Sequence, residues 1–524
     1  MNSISKGPCD PSQGETSLLR ASGVTGVMTL VSRVLGLARD VVIARFFGAS
    51  DGADVFFLAN KIPNFMRRLF AEGAFNQAFV PVLSEYRSQR DFAEVKNLVA
   101  ATSASLGGTL LLLSTVVMIG APFLAIVIAN GYVDDPAKFD LFVSMLRITF
   151  PYLFLVSMTS LCGAVLNSYG KFAVPAITPA FLNLSLIGAA VILSPVLSTP
   201  ELALAWGVLV AGVAQLFFQL PFLARIRLLT LPKWDPANAG LMRIKNLIIP
   251  ALFGVSVSQI NLLFDTLIAS FLMSGSVSWL YFSDRLVELP LGVFGVALGI
   301  AVLPNLSRRH AENSVDEFAK TLDWALRLVL LVAIPAALAL YLISEPLLVT
   351  LFENGRFNEH DVEKSAASLR AYSVGLLAFM AIKVLAPGYY ARQDTVTPVQ
   401  IGVGAVVLNM ILNGVFFYFG MAHVGLALAT SIAAIFNALC LLFGLLKKSV
   451  FCWQPGWLGY CFRLLIANFA MGLFLVFFVG STEEWLQKTL SARVVDLSFL
   501  VFGGIAGYVA FLLLSGFKWR EIYR

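Results

Sequence analysis

The sequence predicts an all-α protein that crosses a membrane about fourteen times. Three observations point to this class: 58% of the 524 residues are hydrophobic, only 13% are charged, and long apolar stretches recur along the whole chain. Soluble globular proteins carry about 25% charged residues. A helix needs about 20 mainly apolar residues to cross the hydrocarbon core, and no large soluble domain fits between the stretches.

The predicted helices follow these apolar stretches in order. Helix 2 and the start of helix 8 are the least apolar. Helices 1 to 14 are expected at residues 24–46, 54–86, 95–128, 139–168, 172–196, 202–226, 242–272, 276–308, 318–344, 364–390, 397–419, 423–446, 456–480 and 495–516.

The basic residues predict how the helices are oriented. Loops after even-numbered helices carry cations such as Arg225 and Arg227, whereas the opposite loops are acidic, as at Asp134 and Asp135. Because cationic loops stay in the cytoplasm, we expect both termini there. The net charge of +6 therefore reflects loops at one membrane surface, and we expect no nucleic-acid partner. The first 20 residues lack an apolar run, so we also expect no cleaved secretory signal.

A weak internal repeat predicts two lobes of six helices each. A-V-P at 173–175 precedes a helix with Asn183, and V-T-P at 396–398 precedes one with Asn409. The repeat is parallel, with a pseudo-two-fold axis along the membrane normal, which is typical of alternating-access transporters. Chance similarity between apolar stretches is the alternative. The predicted organisation is a cytoplasmic tail at 1–21, an N-lobe at 22–228, a C-lobe at 240–448, C-terminal helices 13 and 14 at 455–517, and a cytoplasmic tail at 518–524.

Ionisable residues inside predicted helices 1, 2 and 8 are the most informative feature. A charge at mid-bilayer costs about 2.5–3.5 kcal/mol on insertion scales, so these side chains must face protein or water. One guanidinium group can donate two parallel hydrogen bonds to the oxygens of a phosphate. We therefore predict that these residues line a water-filled cavity that binds a phosphate or diphosphate. Fixed ion pairs between the lobes are the alternative. The cations are Arg33, Arg39, Lys61, Arg67, Arg68 and Arg285, and the carboxylates are Asp40, Asp54, Glu72, Asp284 and Glu288.

A second polar group, on helices 7, 11 and 12, offers oxygen ligands to a cation. The predicted Na⁺ ligands are Asp265, Asn409, Asn413 and Thr430. Ordinary hydrogen bonding between helices, with a neutral aspartic acid, is the alternative. Lys383 on helix 10 either lines the cytoplasmic half of the cavity or extends to the interface. Five scattered cysteines without a C-x-x-C pair and only three histidines give weak support to a disulfide, and we predict no other metal site.

Several segments resemble the MviN/MurJ family of lipid II flippases, and the resemblance covers nearly the whole chain. They are S-R-V-L-G-L-A-R-D at 32–40, A-D-V-F-F-L-A-N-K-I-P-N at 53–64, R-R-L-F-A-E-G-A-F-N-Q-A-F-V-P at 67–81, G-V-S-V-S-Q-I at 254–260, G-S-V-S-W-L-Y-F-S-D-R-L-V-E-L-P at 275–290 and V-L-A-P-G-Y-Y-A-R-Q-D at 384–394.

The resemblance implies a transporter rather than an enzyme, from the multidrug/oligosaccharidyl-lipid/polysaccharide exporter superfamily. Its members have two six-helix lobes, plus two C-terminal helices that form a groove for a lipid tail. Its implied substrate is lipid II, an undecaprenyl diphosphate bearing a disaccharide-pentapeptide, which crosses the bacterial inner membrane for peptidoglycan synthesis. The family's cavity arginines match Arg33, Arg39, Arg67, Arg68 and Arg285, and its supporting acids match Asp40, Asp54, Glu72, Asp284 and Glu288.

We expect no cofactor beyond coupling to Na⁺ or to the membrane potential. Membrane lipids are expected neighbours, together with the machinery of peptidoglycan synthesis and cell division. Four alternatives stay open: an exporter of another polyprenyl-diphosphate-linked glycan, a multidrug antiporter, a membrane enzyme acting on lipid diphosphates, and a non-transporting scaffold. The excess of arginine and lysine in the predicted cavity disfavours an antiporter for organic cations. Separated histidines and the lack of a cytoplasmic acidic metal motif disfavour the enzyme.

Overall fold

The computed structural model describes residues 11–69, 74–312 and 314–517. Within these ranges the regular secondary structure is helical, and no strand occurs. Ten helices among the described residues are long and apolar enough to cross a membrane. These observations confirm the prediction of an all-α polytopic membrane protein.

The helices agree closely with the apolar stretches. In the first half they are α1 (Pro11–Phe47), α2 (Asp51–Arg67), α3 (Ala74–Gln89), α4 (Phe92–Ile119), α5 (Ala121–Ile128), α6 (Pro136–Thr149), α7 (Tyr152–Ser168), α8 (Ala173–Ile177), α9 (Pro179–Gly188) and α10 (Leu202–Arg225). In the second half they are α11 (Ala239–Ser270), α12 (Ser276–Pro290), α13 (Val296–Ala311), α14 (Val315–Leu342), α15 (Ser344–Leu351), α16 (Glu359–Tyr390), α17 (Val396–Tyr418), α18 (Ala422–Lys447), α19 (Trp457–Phe478), α20 (Thr482–Gln487) and α21 (Leu490–Leu514).

Each predicted helix overlaps at least one of these helices, but several are interrupted. Predicted helix 4 divides before Pro151 into α6 and α7, and predicted helix 5 divides before Pro179 into α8 and α9. A π-helical turn at Leu291–Gly295 follows Pro290 and separates α12 from α13. Proline has no N–H to donate and its ring crowds the preceding turn, which accounts for the breaks.

Four predicted helices are not among the ten helices that length and apolar composition select. Predicted helices 1, 2, 7 and 8 correspond to α1, α2 with α3, α11, and α12 with α13. Three of these four carry the predicted cavity charges other than Lys383. The count of fourteen spans therefore stays a prediction.

The described residues pack into two compact units. Unit 1 contains the described residues up to Ile43, together with Leu58–Val127 and Asp135–Gln259. Unit 2 contains Ala44–Phe57, Ile128–Asp134 and the described residues from Ile260 onward. These units are defined by packing, and the repeat-based lobes at 22–228 and 240–448 stay a prediction.

The core of unit 1 is formed by α3, α4, α7 and α10. Phe75 and Phe79 stack with their ring centroids 5.1 Å apart, and both are buried against this cluster. Gly212 lets α10 approach α7 closely, because a Cβ at this position would lie 2.8 Å from the ring of Tyr152. Small residues at such crossings permit close packing of membrane helices.

In unit 2, small residues likewise permit the close crossing of α16 and α18. A Cβ on Gly375 would lie 2.7 Å from the hydroxyl oxygen of Ser431, whose hydroxyl donates to the carbonyl oxygen of Ala371 at 2.8 Å. The C-terminal helix α21 is held to α14 by a hydrogen bond of 2.9 Å from the Tyr508 hydroxyl to the Leu331 carbonyl. These contacts join the C-terminal helices to the bundle of unit 2.

A buried ion pair fixes the start of α19 against α14. Arg327 Nε donates to Asp323 Oδ2 at 2.7 Å, and the two side chains are 8% and 5% exposed. Trp457 Nε1 donates to the other oxygen of Asp323 at 2.6 Å, and Arg327 Nη2 donates to the Pro455 carbonyl at 3.0 Å. Tyr460 donates its hydroxyl to the Arg327 carbonyl at 2.6 Å. The charges are therefore paired and hydrogen-bonded, as buried charges must be.

Candidate functional site

Arg39 and Asp40 form a buried pair on α1. Arg39 Nε and Nη2 donate to Asp40 Oδ1 at 2.9 and 2.6 Å, and the Asp40 residue is 2% exposed. Arg39 Nη1 donates to Asn183 Oδ1 of α9 at 3.1 Å, and Asn183 Nδ2 donates to the Ser32 carbonyl at 2.9 Å. Asn183, which the repeat pattern singled out, thus joins α9 to the arginine-bearing helix. Arg33, one turn and a half earlier, is half-buried.

The cations of α2 and Arg68, the residue that follows this helix, differ in their surroundings. Lys61 and Arg67 are half-buried, whereas Arg68 is exposed. Arg67 Nε donates to Asn64 Oδ1 at 3.3 Å, one turn earlier. The predicted carboxylate Glu72 lies outside the described residues. Of the two adjacent arginines, Arg67 is therefore the one that is partly buried and held by a hydrogen bond from its own side chain.

Arg285 and Glu288 pair along one face of α12. Arg285 Nη1 donates to Glu288 Oε2 at 2.6 Å, and its guanidinium carbon lies 4.8 Å from the centroid of the Tyr281 ring. The side chains of the pair are 35% and 46% exposed, and Asp284 is exposed. Pairs this accessible contribute about 0–1 kcal/mol to stability. Glu288 can therefore give way to a stronger anion at Arg285.

Asp54 caps α12. It is 4% exposed and accepts hydrogen bonds from the backbone N–H groups of Gly275 and Ser278 at 2.7 and 2.8 Å, and from the Ser278 hydroxyl at 2.6 Å. A carboxylate at a helix N-terminus satisfies unpaired N–H groups and interacts favourably with the helix dipole. This geometry assigns Asp54 a capping role. Its predicted part in gating stays a prediction.

The predicted cation ligands partly come together in unit 2. Asn413 Nδ2 donates to Asp265 Oδ1 at 2.9 Å, and Asn409 lies one turn away on the same helix, α17. Asn409 and Asn413 are 3% and 0% exposed, and their Oδ1 atoms have no hydrogen-bond partner among the described residues. Thr430 donates its hydroxyl to the Leu426 carbonyl at 2.9 Å, so its oxygen can still act as a ligand. Buried oxygens without donors fit a hard cation such as Na⁺.

Lys383 is exposed on α16. The backbone at this position packs tightly, because a Cβ on Gly299 of α13 would lie 3.0 Å from the Lys383 carbonyl oxygen. The structure therefore positions the backbone of Lys383 and leaves its ammonium group accessible. Its predicted place in the substrate cavity stays a prediction.

Unit 2 also contains an apolar cavity of about 510 Å³. It is lined by leucine, valine, alanine and isoleucine side chains of α14, α16 and α18, and by Trp453, Trp457 and Cys461. The last three residues come from the start of α19 and the loop before it. The C-terminal region, where the sequence predicts a lipid-tail groove, thus contributes one wall of an apolar cavity.

Unit 1 contains a cavity of about 650 Å³ that was not predicted from the sequence. Most of its wall is apolar, but we call it the polar cavity because hydroxyl and amide groups converge on it. Hydroxyl and amide side chains from α3, α7 and α10 line it, together with Thr178 just before α9, and they include Ser160, Gln215 and Gln219. Arg67 is the only charged residue among its described lining. Polar residues inside apolar helices were the available signal, but spacing alone does not show that they converge.

Comparison with known proteins identifies the family. The family model described as lipid II flippase MurJ matches residues 43–496. A probable lipid II flippase MurJ of Vibrio cholerae is 47% identical, with 96% of this chain and 97% of the relative covered. The corresponding protein of Haemophilus influenzae is 45% identical, covering 94% and 98%. A lipid II flippase MurJ of Burkholderia cenocepacia is 40% identical, covering 97% and 99%.

Solved structures agree with this assignment. A lipid II flippase MurJ in an inward closed conformation matches with a TM-score of 0.77 and 26% identity, covering 95% of this chain and 99% of that one. An inward-facing multidrug resistance transporter of the MATE family matches with a TM-score of 0.67 over 81% and 98% of the two chains. At 14% identity it shows the fold alone. From the family-model match and the near-complete coverage by its relatives, this chain belongs to the lipid II flippase MurJ family.

Proposed function

We propose that this protein is a lipid II flippase of the bacterial inner membrane, with both termini in the cytoplasm. It carries the undecaprenyl-diphosphate-linked precursor from the inner to the outer leaflet and so supplies peptidoglycan synthesis. The observation that carries the proposal is 40–47% identity over at least 94% of the chain to proteins named lipid II flippase. Its protein neighbours are then the synthesis and division machinery that uses the delivered precursor.

The arginines supply the chemistry that a diphosphate needs. Arg39 pairs with Asp40, and Arg285 pairs with Glu288, so both guanidinium groups already hold an anion. A diphosphate carries more negative charge than a carboxylate and accepts paired hydrogen bonds from a guanidinium fork. We expect it to displace Glu288 more readily than Asp40, because the Arg285 pair is the more exposed one. Arg33, Arg67 and Arg68 complete the proposed set.

Substrate binding and the membrane potential together drive the proposed alternating access. The bound diphosphate neutralises the arginine side chains of the proposed set. Without it their like charges repel one another, which disfavours closure of the empty cavity. Carrying one negative charge outward across an inside-negative membrane gains about 2.3 kcal/mol per 100 mV. The lipid tail stays in an apolar environment throughout. The apolar cavity beside Trp453 and Trp457 is the proposed binding place for the part of the tail nearest to the diphosphate.

We propose that Na⁺ binds at Asp265, Asn409, Asn413 and Thr430 and resets the empty carrier. The Asp265→Asn change should abolish the effect of a sodium gradient on flipping, because the cluster then lacks its carboxylate. The measurement is the flipping rate in vesicles with and without the gradient. Asp140→Asn, at an exposed position on α6, is the matched control and should leave the sodium effect intact. A sodium effect that survives in Asp265→Asn would contradict this site.

The proposed function is tested by depleting the protein in cells and measuring whether lipid II becomes accessible at the outer face. We expect lipid II to accumulate in the inner leaflet, protected from reagents added outside, and expression of this chain to restore access. Normal access after depletion, in cells without another flippase, would contradict the proposal. A non-transporting scaffold or a membrane enzyme would not itself move lipid II to the outer face, so restored access distinguishes a flippase from these alternatives.

A further inference from the structure

Gln219, which lines the polar cavity of unit 1, has an unused hydrogen-bond acceptor. The residue is 1% exposed, and its Nε2 donates to the hydroxyl oxygen of Thr178 at 2.9 Å. Its Oε1 has no hydrogen-bond partner among the described residues. A Cβ on Gly163, which also lines the cavity, would lie 3.7 Å from this oxygen. A buried acceptor without a donor is costly, so this one favours an occupant that donates O–H or N–H groups.

The neighbouring polar groups are held in place by their own network. Tyr152 donates its hydroxyl to Gln215 Oε1 at 3.4 Å, and Gln215 Nε2 donates to the Thr178 carbonyl at 3.3 Å. The Thr178 hydroxyl donates to the Val174 carbonyl at 2.8 Å. These bonds fix both glutamine amides across the break between α8 and α9. A rigid set of neutral polar groups suits recognition of an uncharged polar ligand.

The charge around the cavity limits what it can hold. Arg67 is its one charged lining residue in the part of the chain that the structure describes, and Arg67 also belongs to the proposed diphosphate set. In lipid II the group joined directly to the diphosphate is the sugar. A ligand whose diphosphate is bound by Arg67 therefore places its sugar, rather than its peptide, nearest to this cavity.

We propose that the cavity binds the sugar next to the diphosphate, an inference that rests on the proposed function. Sugar hydroxyl and amide groups donate to Gln219 Oε1 and to the oxygens of lining hydroxyl groups such as Thr159 and Ser168, whose own protons are donated to backbone carbonyls. The volume of about 650 Å³ lies in the range of about 300–1,000 Å³ that is usual for small-ligand pockets. The cavity thus distinguishes a glycan-bearing diphosphate lipid from the bare lipid diphosphate.

The test compares two ligands, lipid II and undecaprenyl diphosphate without sugar, for binding to the purified full chain in nanodiscs. Gln219→Leu should weaken lipid II binding about tenfold, as expected for one or two lost hydrogen bonds, and leave undecaprenyl diphosphate binding unchanged. Arg67→Ala should weaken both ligands, because the diphosphate is common to them.

A second variant guards against misfolding of the first. Gly163→Ala adds a methyl group at ordinary contact distances, 3.4 Å from Pro175 and 3.7 Å from Gln219 Oε1, and alanine favours the helix. It should also weaken lipid II selectively, because the methyl group covers the acceptor. Asn468→Leu is the matched control: this amide on α19 is likewise buried with an unpartnered oxygen, but lies outside the cavity, and its loss should not alter the ratio of the two affinities.

Three results would overturn the proposal. Equal weakening of both ligands by Gln219→Leu and Gly163→Ala would indicate a structural role for the cavity. Unchanged lipid II binding in both variants would exclude the cavity from recognition, while the flippase function would stand. If the wild-type chain binds neither ligand more tightly than phosphatidylglycerol, the proposed function fails as well.

Discussion

Charge reversal at Arg285 is expected to abolish lipid II flipping. The Arg285→Glu change places a second carboxylate beside Glu288, whose Oε2 lies 2.6 Å from Arg285 Nη1 in the native protein. Two carboxylates there repel each other and repel a diphosphate, so the site changes from attracting the substrate to rejecting it. The measurement is flipping by the variant at a protein level equal to wild type in the membrane.

A surface charge reversal separates this effect from a general loss of positive charge. Arg90→Glu changes charge by the same amount at a site where arginine and its partner Glu94 are 57% and 49% exposed. We expect this control to flip lipid II normally. Arg285→Lys should retain part of the activity, because an ammonium keeps the charge but lacks the planar fork. Wild-type flipping by Arg285→Glu would remove Arg285 from the proposed site.

Breaking the Asp323–Arg327 pair is expected to destabilise the protein more than any other single change considered. Asp323→Ala leaves a buried guanidinium without its carboxylate and also removes the acceptor of Trp457 Nε1. Removal of one partner from a buried ion pair typically costs about 3–5 kcal/mol. Thermal unfolding of the purified protein should show a marked decrease in melting temperature and an early loss of the contact between α14 and α19.

The double change Asp323→Leu with Arg327→Met is the informative control. Replacing both buried charges by apolar groups of similar volume is often neutral or stabilising, because no charge then remains unpaired. We expect the double variant to unfold at a higher temperature than Asp323→Ala. Equal melting temperatures for the two variants would show that the hydrogen bonds to Pro455 and Trp457, rather than the ion pair, fix this region.

The sequence predicted the helices well because bilayer thickness imposes a length on apolar stretches. Predicted helix 12 at 423–446 and α18 at Ala422–Lys447 differ by one residue at each end. Proximity between residues close in sequence was also within reach, since Arg285 and Glu288 were assigned to one charged group and pair at 2.6 Å. The breaks at Pro151 and Pro179 were not predicted, since prolines within membrane helices are often tolerated.

Most long-range contacts were not revealed by the sequence; the contact between Asp265 and Asn413, 148 positions apart, was an exception. Asp54 caps a helix whose first residues lie more than two hundred positions later, at a separation of 221 from Gly275. Arg67 and Arg68 received the same predicted role. However, adjacent residues point about 100° apart on a helix, and only Arg67 lines the polar cavity. Gln215 and Gln219 were not noted as candidates, because their convergence with Thr178 depends on how three helices pack.

Reconstitution tests the central claim most directly. Vesicles containing the purified protein and labelled lipid II are treated with a membrane-impermeant reagent, and the fraction of lipid II that it reaches is followed over time. We expect the protected pool to become accessible with the wild-type protein and to stay protected with Arg285→Glu. Protein-independent access, or equal rates for the two proteins, would contradict the claim that Arg285 and the other arginines of the proposed set carry the diphosphate across the membrane.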